Sequence, residues 1–264
     1  MIVSPPRSSH PHTYAARIAL AIFMIFFGGI FFLIGYQDHS PLLMAIGVVT
    51  LGIFVACWII ISKIVVTIHD EGIRRTTMFG VREITWRDVA EYRFRAVPMQ
   101  GAGHAAGGLI GVLIVAAMRR AKGREAVTSI YLDVIGRDGT KIRLGSGLRD
   151  AYDAVGGVVA KIHEQMRPAV NALVGSTGAE FGPLRLTIRD VQWKQKEPVA
   201  IREIERAELA GAYLRIKKQG KFLSLVSVRS DKIPNVLLFL EELERLGGGG
   251  TRGSFVDPLA HFRG

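Results

Sequence analysis

Two long apolar runs near the N-terminus limit the folds open to this chain more than any other feature. Residues 18–36 read IALAIFMIFFGGIFFLIGY and residues 42–62 read LLMAIGVVTLGIFVACWIIIS, and neither run contains a charged side chain. Each is about 20 residues long, the length that an α-helix needs to cross the hydrocarbon core of a bilayer. Only QDHSP separates them, so the sequence predicts a transmembrane hairpin over residues 17–62.

Small residues in both runs would let the two spans pack closely. Gly28 and Gly29 lie in the first run, and Ala45 and Gly47 lie in the second. Small residues are enriched where transmembrane helices approach each other. We therefore expect these four positions to lie at the contact between the spans.

The charges that flank the hairpin predict its orientation. The short connection carries Asp38 and no cation, whereas both outer flanks are basic, at Arg7, Arg17, Lys63, Arg74 and Arg75. Loops rich in lysine and arginine stay in the cytoplasm. The sequence predicts a multi-pass protein of a bacterial cytoplasmic membrane, with cytoplasmic N- and C-termini and a flexible tail over residues 1–16. The formal charge of +11 also suits a surface that meets anionic lipid head groups.

The rest of the chain contains a pattern that occurs twice. The segment VTIHD at 66–70 matches LTIRD at 186–190, and YLDVIGRDGTKIRL at 131–144 matches YLRIKKQGKFLSL at 213–225. Both members of the second pair have an alternating strand, a turn containing glycine, and another alternating strand. The pattern predicts two similar antiparallel β domains.

An amphipathic helix is predicted at the end of each copy. Apolar residues recur at spacings of three and four, at Tyr152, Val155, Val159, Ile162 and Met166 in the first copy and at Ile233, Val236, Leu237, Leu240 and Leu243 in the second. Asp150 is placed to cap the first helix, and Pro168 lies just beyond its end. Ser230 or Asp231 is placed to cap the second helix, and Gly247 is placed to stop it.

The segment VVTIHDEGIRRTTMFGVREITWRDV at 65–89 resembles the start of bacterial pleckstrin-homology-like (PH-like) domains in membrane-anchored proteins of unknown function. The features that carry the resemblance are Gly72-Ile73, a polar strand through Gly80, and the closing Ile84, Trp86 and Val89. The resemblance implies an α+β membrane protein in which the hairpin precedes two PH-like β-barrels, each capped by a C-terminal α-helix. The resemblance implies little about activity, since such barrels host many functions, and it implies a binding or scaffolding module rather than a catalyst.

Measured against the resemblance and the repeat, the chain divides into PH-like domain 1 at 63–167, a linker at 168–180, PH-like domain 2 at 181–247 and a flexible tail at 248–264. The first domain contains a hydrophobic insertion at 97–127, which includes GAGHAAGGLIGVLIVAAMRRAKG. The second copy joins the equivalent strands by a short connection. The long segment is therefore an insertion between two strands of the first barrel.

Several interpretations of residues 101–118 stay open. The segment could be a third span, a helix at the inner leaflet, or a helix buried by this protein or by a homo-oligomer. Basic flanks on both sides argue against a crossing. Gly101, Gly103 and Ala106 fit a dinucleotide-binding loop, but that site needs a parallel βαβ unit and the neighbouring strands pair best as hairpins. For the inner-leaflet helix, we expect contacts with anionic head groups from Arg119, Arg120, Lys122 and Arg124.

Other residue patterns indicate little chemistry. Cys57 is the one cysteine, which excludes a disulfide framework and a Cys-based zinc site. The histidines, among them His10, His12, His69, His104 and His163, form no metal-ligand spacing, and we expect no cofactor. The carboxylate pairs Glu203 with Glu205 and Glu241 with Glu242 are interpreted as solvated faces.

The second copy is rich in cations, at Arg189, Lys194, Lys196, Arg215, Lys217, Lys218 and Lys221. They form either a patch for phospholipid or an acidic protein, or solvated strand edges. Aromatic residues that would stack on bases are not interleaved with them, so we expect no nucleic-acid partner.

The sequence thus predicts a non-enzymatic, membrane-anchored scaffold. Its tandem cytoplasmic PH-like domains would engage protein partners or the anionic membrane surface. The alternative is a membrane enzyme or transport accessory with a site between the hairpin and the 101–118 insertion.

Overall fold

The protein, described by a computed structural model over residues 2, 4–11, 26, 28–98, 128–145, 148, 150–220 and 224–247, divides into two compact units. One unit comprises Met1–Thr85 with Gly147–Ala151, and the other comprises Trp86–Ser146 with Tyr152–Gly264. Helices and antiparallel sheets build the described residues, as the predicted α+β class requires.

The first unit contains two packed helices and one sheet. Its elements are β1 (Pro6–Pro11), α1 (Gly29–Gln37), α2 (Pro41–Ser62), β2 (Val65–His69), β3 (Gly72–Thr77) and β4 (Gly80–Thr85). The sheet has the order β1-β2-β3-β4, and all neighbouring strands are antiparallel. Val66, Ile73 and Ile84 are buried on one face of the sheet, as the period-two pattern predicts.

Strand β1 lies where the sequence predicts a flexible tail. It pairs with β2 from Pro6 opposite His69 to Pro11 opposite Val65. The segment PRSSHP has no apolar alternation, so its order comes from backbone hydrogen bonds to β2. Prolines are tolerated there because β1 is the edge strand of the sheet, where a missing N–H costs no ladder bond.

The second unit contains three sheets and two helices. Its strands are β5 (Val89–Pro98), β6 (Thr128–Gly136), β7 (Lys141–Gly145), β8 (Ala179–Phe181), β9 (Leu184–Leu186), β10 (Asp190–Trp193), β11 (Val199–Ala200), β12 (Ile204–Ala210), β13 (Tyr213–Lys218) and β14 (Ser224–Arg229). The sheets are β5-β6-β7, β8-β9-β10-β11 and β12-β13-β14. Helix α3 is Ala151–Gly175 and helix α4 is Val236–Arg245. The predicted turns at Gly139 and Gly220 are present, and both glycines have positive φ.

The same order of elements occurs twice along the chain. A four-stranded sheet, a short 3₁₀ turn, a three-stranded sheet and a helix follow one another in both halves. In the second half, β8 and β9 are joined by Gly182-Pro183, whereas in the first half helices α1 and α2 lie between β1 and β2. The sequence predicts two closed barrels, but the described strands form four separate sheets and none closes on itself.

Helix α3 is longer than its apolar pattern predicts. The sequence ends it before Pro168 and assigns 168–180 to a linker, but the helix continues through Pro168 to Gly175. Pro168 is exposed, and Val174 in the last turn is buried. Gly178 N–H then donates to the Leu173 carbonyl at 2.7 Å, which closes the C-terminus. Burial of the last turn thus offsets the hydrogen bond that proline cannot make.

Helix α4 begins later than predicted. Ser230 and Asp231 belong to a 3₁₀ turn, Ser230–Lys232, and do not cap the helix. The residue before α4 is Asn235, whose φ of 54° lies in the left-handed region. Gly247, with a φ of 78°, follows the helix at the predicted stop. Nearly all of α4 is buried, which is why its apolar residues occupy more than one face.

Candidate functional site: an apolar anchor and a buried polar cluster

Helix α2 exposes large apolar side chains over most of its surface. Leu42, Val49 and Ile53 are 70%, 60% and 59% exposed. Helices of water-soluble domains expose a polar face and bury an apolar stripe, and α2 has no polar face. Among the described residues it is the one helix that is long and apolar enough to cross a membrane. Of the predicted first span, 18–36, residues 26 and 28–36 are described and include α1 as far as Tyr36, whereas residues 18–25 and 27 lie outside the described residues.

Glycines bring α1 and α2 into close contact. A Cβ atom added to Gly47 would lie 2.9 Å from the Phe32 nitrogen, and one added to Gly28 would lie 2.7 Å from Leu51 Cγ. Gly35 is closer still, since its Cβ would lie 2.6 Å from the Met44 nitrogen. The predicted contacts at Gly28 and Gly47 are therefore present. Gly29, which we expected at the contact, has open space beside it, because consecutive helical residues point about 100° apart.

The N-terminal segment is fastened to the strand that follows α2. The Ser4 carbonyl lies 2.7 Å from His69 Nδ1, and Arg7 forms an ion pair with Asp70. Strands β1 and β2 pair directly although the whole predicted hairpin lies between them in sequence. Whatever crosses a membrane between residues 11 and 65 must therefore cross it an even number of times.

The second unit contains a buried chain of polar side chains that links β5, α3 and α4. The Tyr92 hydroxyl lies 2.6 Å from His163 Nε2, and His163 Nδ1 lies 3.0 Å from the carboxylate of Glu241. Tyr92 is fully buried and His163 is 3% exposed. The three residues come from parts of the sequence that no local pattern connects.

The hydrogen-bond partners of His163 show which of its ring nitrogens carries a proton. A carboxylate only accepts, so His163 Nδ1 carries a proton and donates it to Glu241. The other ring nitrogen, Nε2, shares the 2.6 Å hydrogen bond with the Tyr92 hydroxyl. The hydroxyl oxygen also accepts from the Leu238 backbone N–H at 3.0 Å, in the first turn of α4. Tyr92 thus caps a helix to which it is not adjacent in sequence.

The surroundings shift the pKa values of Tyr92 and Glu241, which lie on either side of His163. Burial raises the pKa of the Tyr92 phenol well above its ordinary value, although the Leu238 N–H opposes this shift. Burial also acts to raise the pKa of Glu241, but hydrogen bonds and charges from His163 and Arg167 outweigh it and the pKa is lowered. Tyr92 is therefore neutral and Glu241 is ionised around neutral pH.

Asn235 makes a second connection between β5 and the start of α4. Its side-chain carbonyl accepts from Tyr92 N–H at 2.9 Å, and its backbone N–H donates to the Tyr92 carbonyl at 2.8 Å. The side chain and backbone of Asn235 together pair with one strand residue as another strand would. Asparagine tolerates the left-handed conformation that this geometry requires.

Charged residues complete the cluster at its outer edge. Arg167 contacts Glu241 at 2.5 Å, and Arg245 contacts Glu242 at 2.6 Å and Asn171 at 3.2 Å. Glu242 is 1% exposed, so the prediction of a solvated face is wrong for Glu242, whereas the Glu241 side chain is 33% exposed. The apolar pattern around α4 gave no sign that its carboxylates face α3.

The hydrogen bonds within this cluster limit the chemistry that it can perform. The Tyr92 oxygen is bonded to His163 and to the Leu238 N–H, and the second ring nitrogen of His163 is bonded to Glu241. A nucleophile or general base must reach a substrate atom within hydrogen-bond distance. The arrangement instead fixes β5, α3 and α4 to one another. We call Tyr92, His163, Glu241 and Asn235 the polar latch.

The basic residues of the second half divide into two groups. Lys217 pairs with Glu205 at 3.0 Å, and Lys218 pairs with Glu203 at 2.9 Å, as expected of solvated strand faces. The other described cations of this set are exposed, and Lys194 lies over the Trp193 ring: Arg189, Lys194, Lys196 and Arg215. They lie at turns and on β13, and within the described residues they form no ion pair. Lys221 lies outside the described residues.

The predicted membrane-surface residues Arg119, Arg120, Lys122 and Arg124 also lie outside the described residues, as does the insertion from residue 99 to residue 127. The strands that flank it are described. Pro98 on β5 pairs directly with Thr128 on β6, so both strands lie on the same side of any membrane. A single crossing between them is incompatible with this register, which argues against the third-span interpretation.

Metal binding and family membership add no further assignment. Within the residues that the structure describes, no group of three histidine, cysteine, aspartate or glutamate side chains is placed to hold a metal ion. No protein-family model matches the sequence, and no curated protein matches it.

Proposed function

We propose that this chain is a membrane-anchored scaffold whose folded β units present exposed cations on strands and turns to a protein partner in the bacterial cytoplasm. The observation that carries the proposal is the surface of α2, where large apolar side chains such as Leu42, Val49 and Ile53 are more than half exposed. An exposed helix of this kind is an aggregation liability in water and is stable in a bilayer.

The pairing of β1 with β2 supports a two-span hairpin. It requires an even number of crossings between these strands, and α1 packs along α2 through glycines that suit transmembrane helices. Cations at Arg7, Lys63 and Arg74 favour the cytoplasm for both strands. The N- and C-termini would then be cytoplasmic.

The polar latch supports a scaffolding role over a catalytic one. The hydrogen bonds of its titratable side chains hold β5, α3 and α4 together. The PH-like interpretation agrees with the repeated order of four strands, three strands and a helix. A rigid, twice-repeated β unit beside a membrane is suited to recruiting another protein.

Photo-crosslinking in living bacteria tests this function. A photoreactive amino acid would replace Arg215, which is exposed on β13, and Glu164, which is exposed on α3, in separate full-length chains. We expect a discrete protein adduct from position 215 and only weak, heterogeneous adducts from position 164. Absence of a protein adduct at 215, and likewise at 189 and 196, would contradict the scaffold proposal. Adducts with lipid at these positions would assign the strands to the membrane surface instead.

A further inference from the structure

The β3–β4 turn carries the most exposed apolar side chain among the large hydrophobic residues of the described chain. Phe79 is 78% exposed, and its neighbours Met78 and Val81 are 55% and 56% exposed. Thr77 pairs with Gly80, so Met78 and Phe79 are the two central residues of a tight hairpin turn. Such positions favour asparagine, aspartate and glycine. We call Met78, Phe79 and Val81 the apolar tip.

Local hydrogen bonds hold the tip in this exposed conformation. The Thr77 hydroxyl accepts from Phe79 N–H at 3.3 Å and donates to the Gly80 carbonyl at 3.0 Å. Gly80 has a φ of 138°, which a residue with a side chain rarely adopts. The turn is therefore specified by its own sequence, and it presents Phe79 outward without support from a core.

Strand register places the tip beside the end of the membrane helix. Helix α2 ends at Ser62 and β2 begins at Val65, which can lie at most about 11 Å away along an extended chain. Val65 pairs with Thr76, and Thr76 pairs with Val81. Neighbouring strands are about 4.8 Å apart, so the tip lies roughly 5–10 Å sideways from the start of β2. It extends beyond Thr76 towards the end of the sheet from which α2 enters.

The second half of the chain provides a contrast in chemistry. Its equivalent hairpin joins β10 to β11 through residues 194–198, which read KQKEP. That connection is polar and exposed, and its sheet carries no apolar helices between its first two strands. The apolar tip occurs in the sheet that the membrane helix enters, and the matching turn of the other sheet lacks it.

We propose that the apolar tip inserts into the lipid interface and forms a contact with the bilayer beside α2. This inference rests on the proposed membrane anchoring. The partner is the lipid surface itself, because the tip offers three exposed apolar side chains beside the end of an apolar helix. Lys63, which is exposed between α2 and β2, and the arginines Arg75 and Arg82, paired opposite each other one step from the tip, give the same end a positive charge. Anionic head groups would complement this charge. Insertion would add a second point of contact with the bilayer, and two contacts fix the angle of the sheet relative to the bilayer better than α2 alone.

Fluorescence quenching on the full-length chain tests the insertion. Single cysteines would replace Phe79, Val49 on α2, and Lys196 in the polar turn, each in a Cys57→Ala background. Each variant would carry an environment-sensitive dye and be reconstituted into vesicles of phosphatidylcholine and phosphatidylglycerol. Lipids with a nitroxide on the upper acyl chain would quench a dye within the bilayer, and aqueous iodide would quench a dye in water.

We expect the dye at 79 to be quenched by the lipid nitroxide several-fold more strongly than the dye at 196, and to be protected from iodide. The same result is expected with Met78→Cys, which guards against a local effect of one dye. If 49 is quenched by lipid while 79 and 78 behave like 196, the insertion is wrong and the anchor stands. If 49 is itself accessible to iodide and not to lipid, the membrane anchoring fails.

Discussion

The polar latch joins β5, α3 and α4 through hydrogen bonds between single side chains. Tyr92, His163 and Glu241 are far apart in the chain, and each occupies an unremarkable position in a strand or helix pattern. Burial of Val155, Val159 and Ile162 was predictable from helical spacing. Burial of His163 next to them was not, because its partners become visible only once α4 is placed. Side-chain identity alone does not reveal a partner from another element.

Replacing Tyr92 with phenylalanine should destabilise the protein without changing its shape. The variant keeps the ring but leaves the Leu238 N–H and His163 Nε2 without their buried partner. Loss of one side of such a bond costs about 1–3 kcal/mol. Thermal unfolding in detergent should show a lower midpoint. Tyr213→Phe, at a half-exposed position on β13, is the matched control and should leave the midpoint unchanged. Equal midpoints for wild type and Tyr92→Phe would show that the hydrogen bonds of the Tyr92 hydroxyl do not stabilise the fold.

Glu241 should make stability depend on acid pH. Its pKa in the folded protein is lowered, since the His163 and Arg167 contacts outweigh the opposing effect of burial. A depressed folded pKa adds stability that is present above the unfolded value, about 4.3, and is lost as pH falls through the folded value. Unfolding midpoints should therefore decrease between neutral pH and the acid range. The decrease should be smaller for Glu241→Gln, whereas Glu180→Gln, exposed on β8, should follow the wild type. A wild-type slope in Glu241→Gln would refute this assignment.

Packing between helices and strands sets the helix contacts, the end of α3 and the position of β1, which the local sequence pattern does not determine. Glycines in the apolar runs predicted a helix contact, and Gly28 and Gly47 are at that contact, but which of two adjacent glycines faces inward depends on the helix rotation. Pro168 predicted the end of the helix, but α3 continues to Gly175 because burial of Val174 stabilises its last turn. Strand β1 was missed because its order comes from pairing with β2 rather than from its own residues.

Gly35 and Gly29 form a matched pair for testing the α1–α2 contact. A methyl group on Gly35 would meet the Met44 and Leu43 backbone at 2.6–2.9 Å, whereas one on Gly29 meets nothing within 4 Å. Overpacking of this kind costs about 1–3 kcal/mol. Gly35→Ala should therefore lower the unfolding midpoint in detergent, and Gly29→Ala should not. The contact would be misassigned if both variants unfolded alike.

At the scale of the whole molecule, the repeat was the most informative part of the sequence. It predicted the hairpin turns at Gly139 and Gly220 and the placement of a helix after each set of strands. It did not predict that the first sheet begins before the apolar runs, so that two apolar helices interrupt a β sheet. Long-range pairing of this kind has no local signature, because the connecting segment carries its own, stronger pattern.

This interruption has a consequence for truncated chains. A chain that begins at Lys63 would lack β1 and would leave β2 as a bare edge. We expect such a chain to aggregate more readily than the full-length protein. Adding residues 2–11 back through a short flexible linker should reduce the aggregation, as measured by light scattering. A soluble, monomeric chain starting at Lys63 would show that β1 is dispensable.

In the proposed topology, β1 and the strands that follow the helices lie on one side of the membrane and the α1–α2 turn lies on the other. Single cysteines at Ser9 on β1, Asp38 in the turn and Lys196 between β10 and β11 test it in a Cys57→Ala chain, because all three positions are exposed. A membrane-impermeant maleimide is applied to bacterial cells whose outer envelope has been permeabilised. We expect labelling of position 38 alone, with positions 9 and 196 labelled only after the inner membrane is broken. Labelling of position 9 or 196 before lysis, or protection of position 38, would contradict this topology.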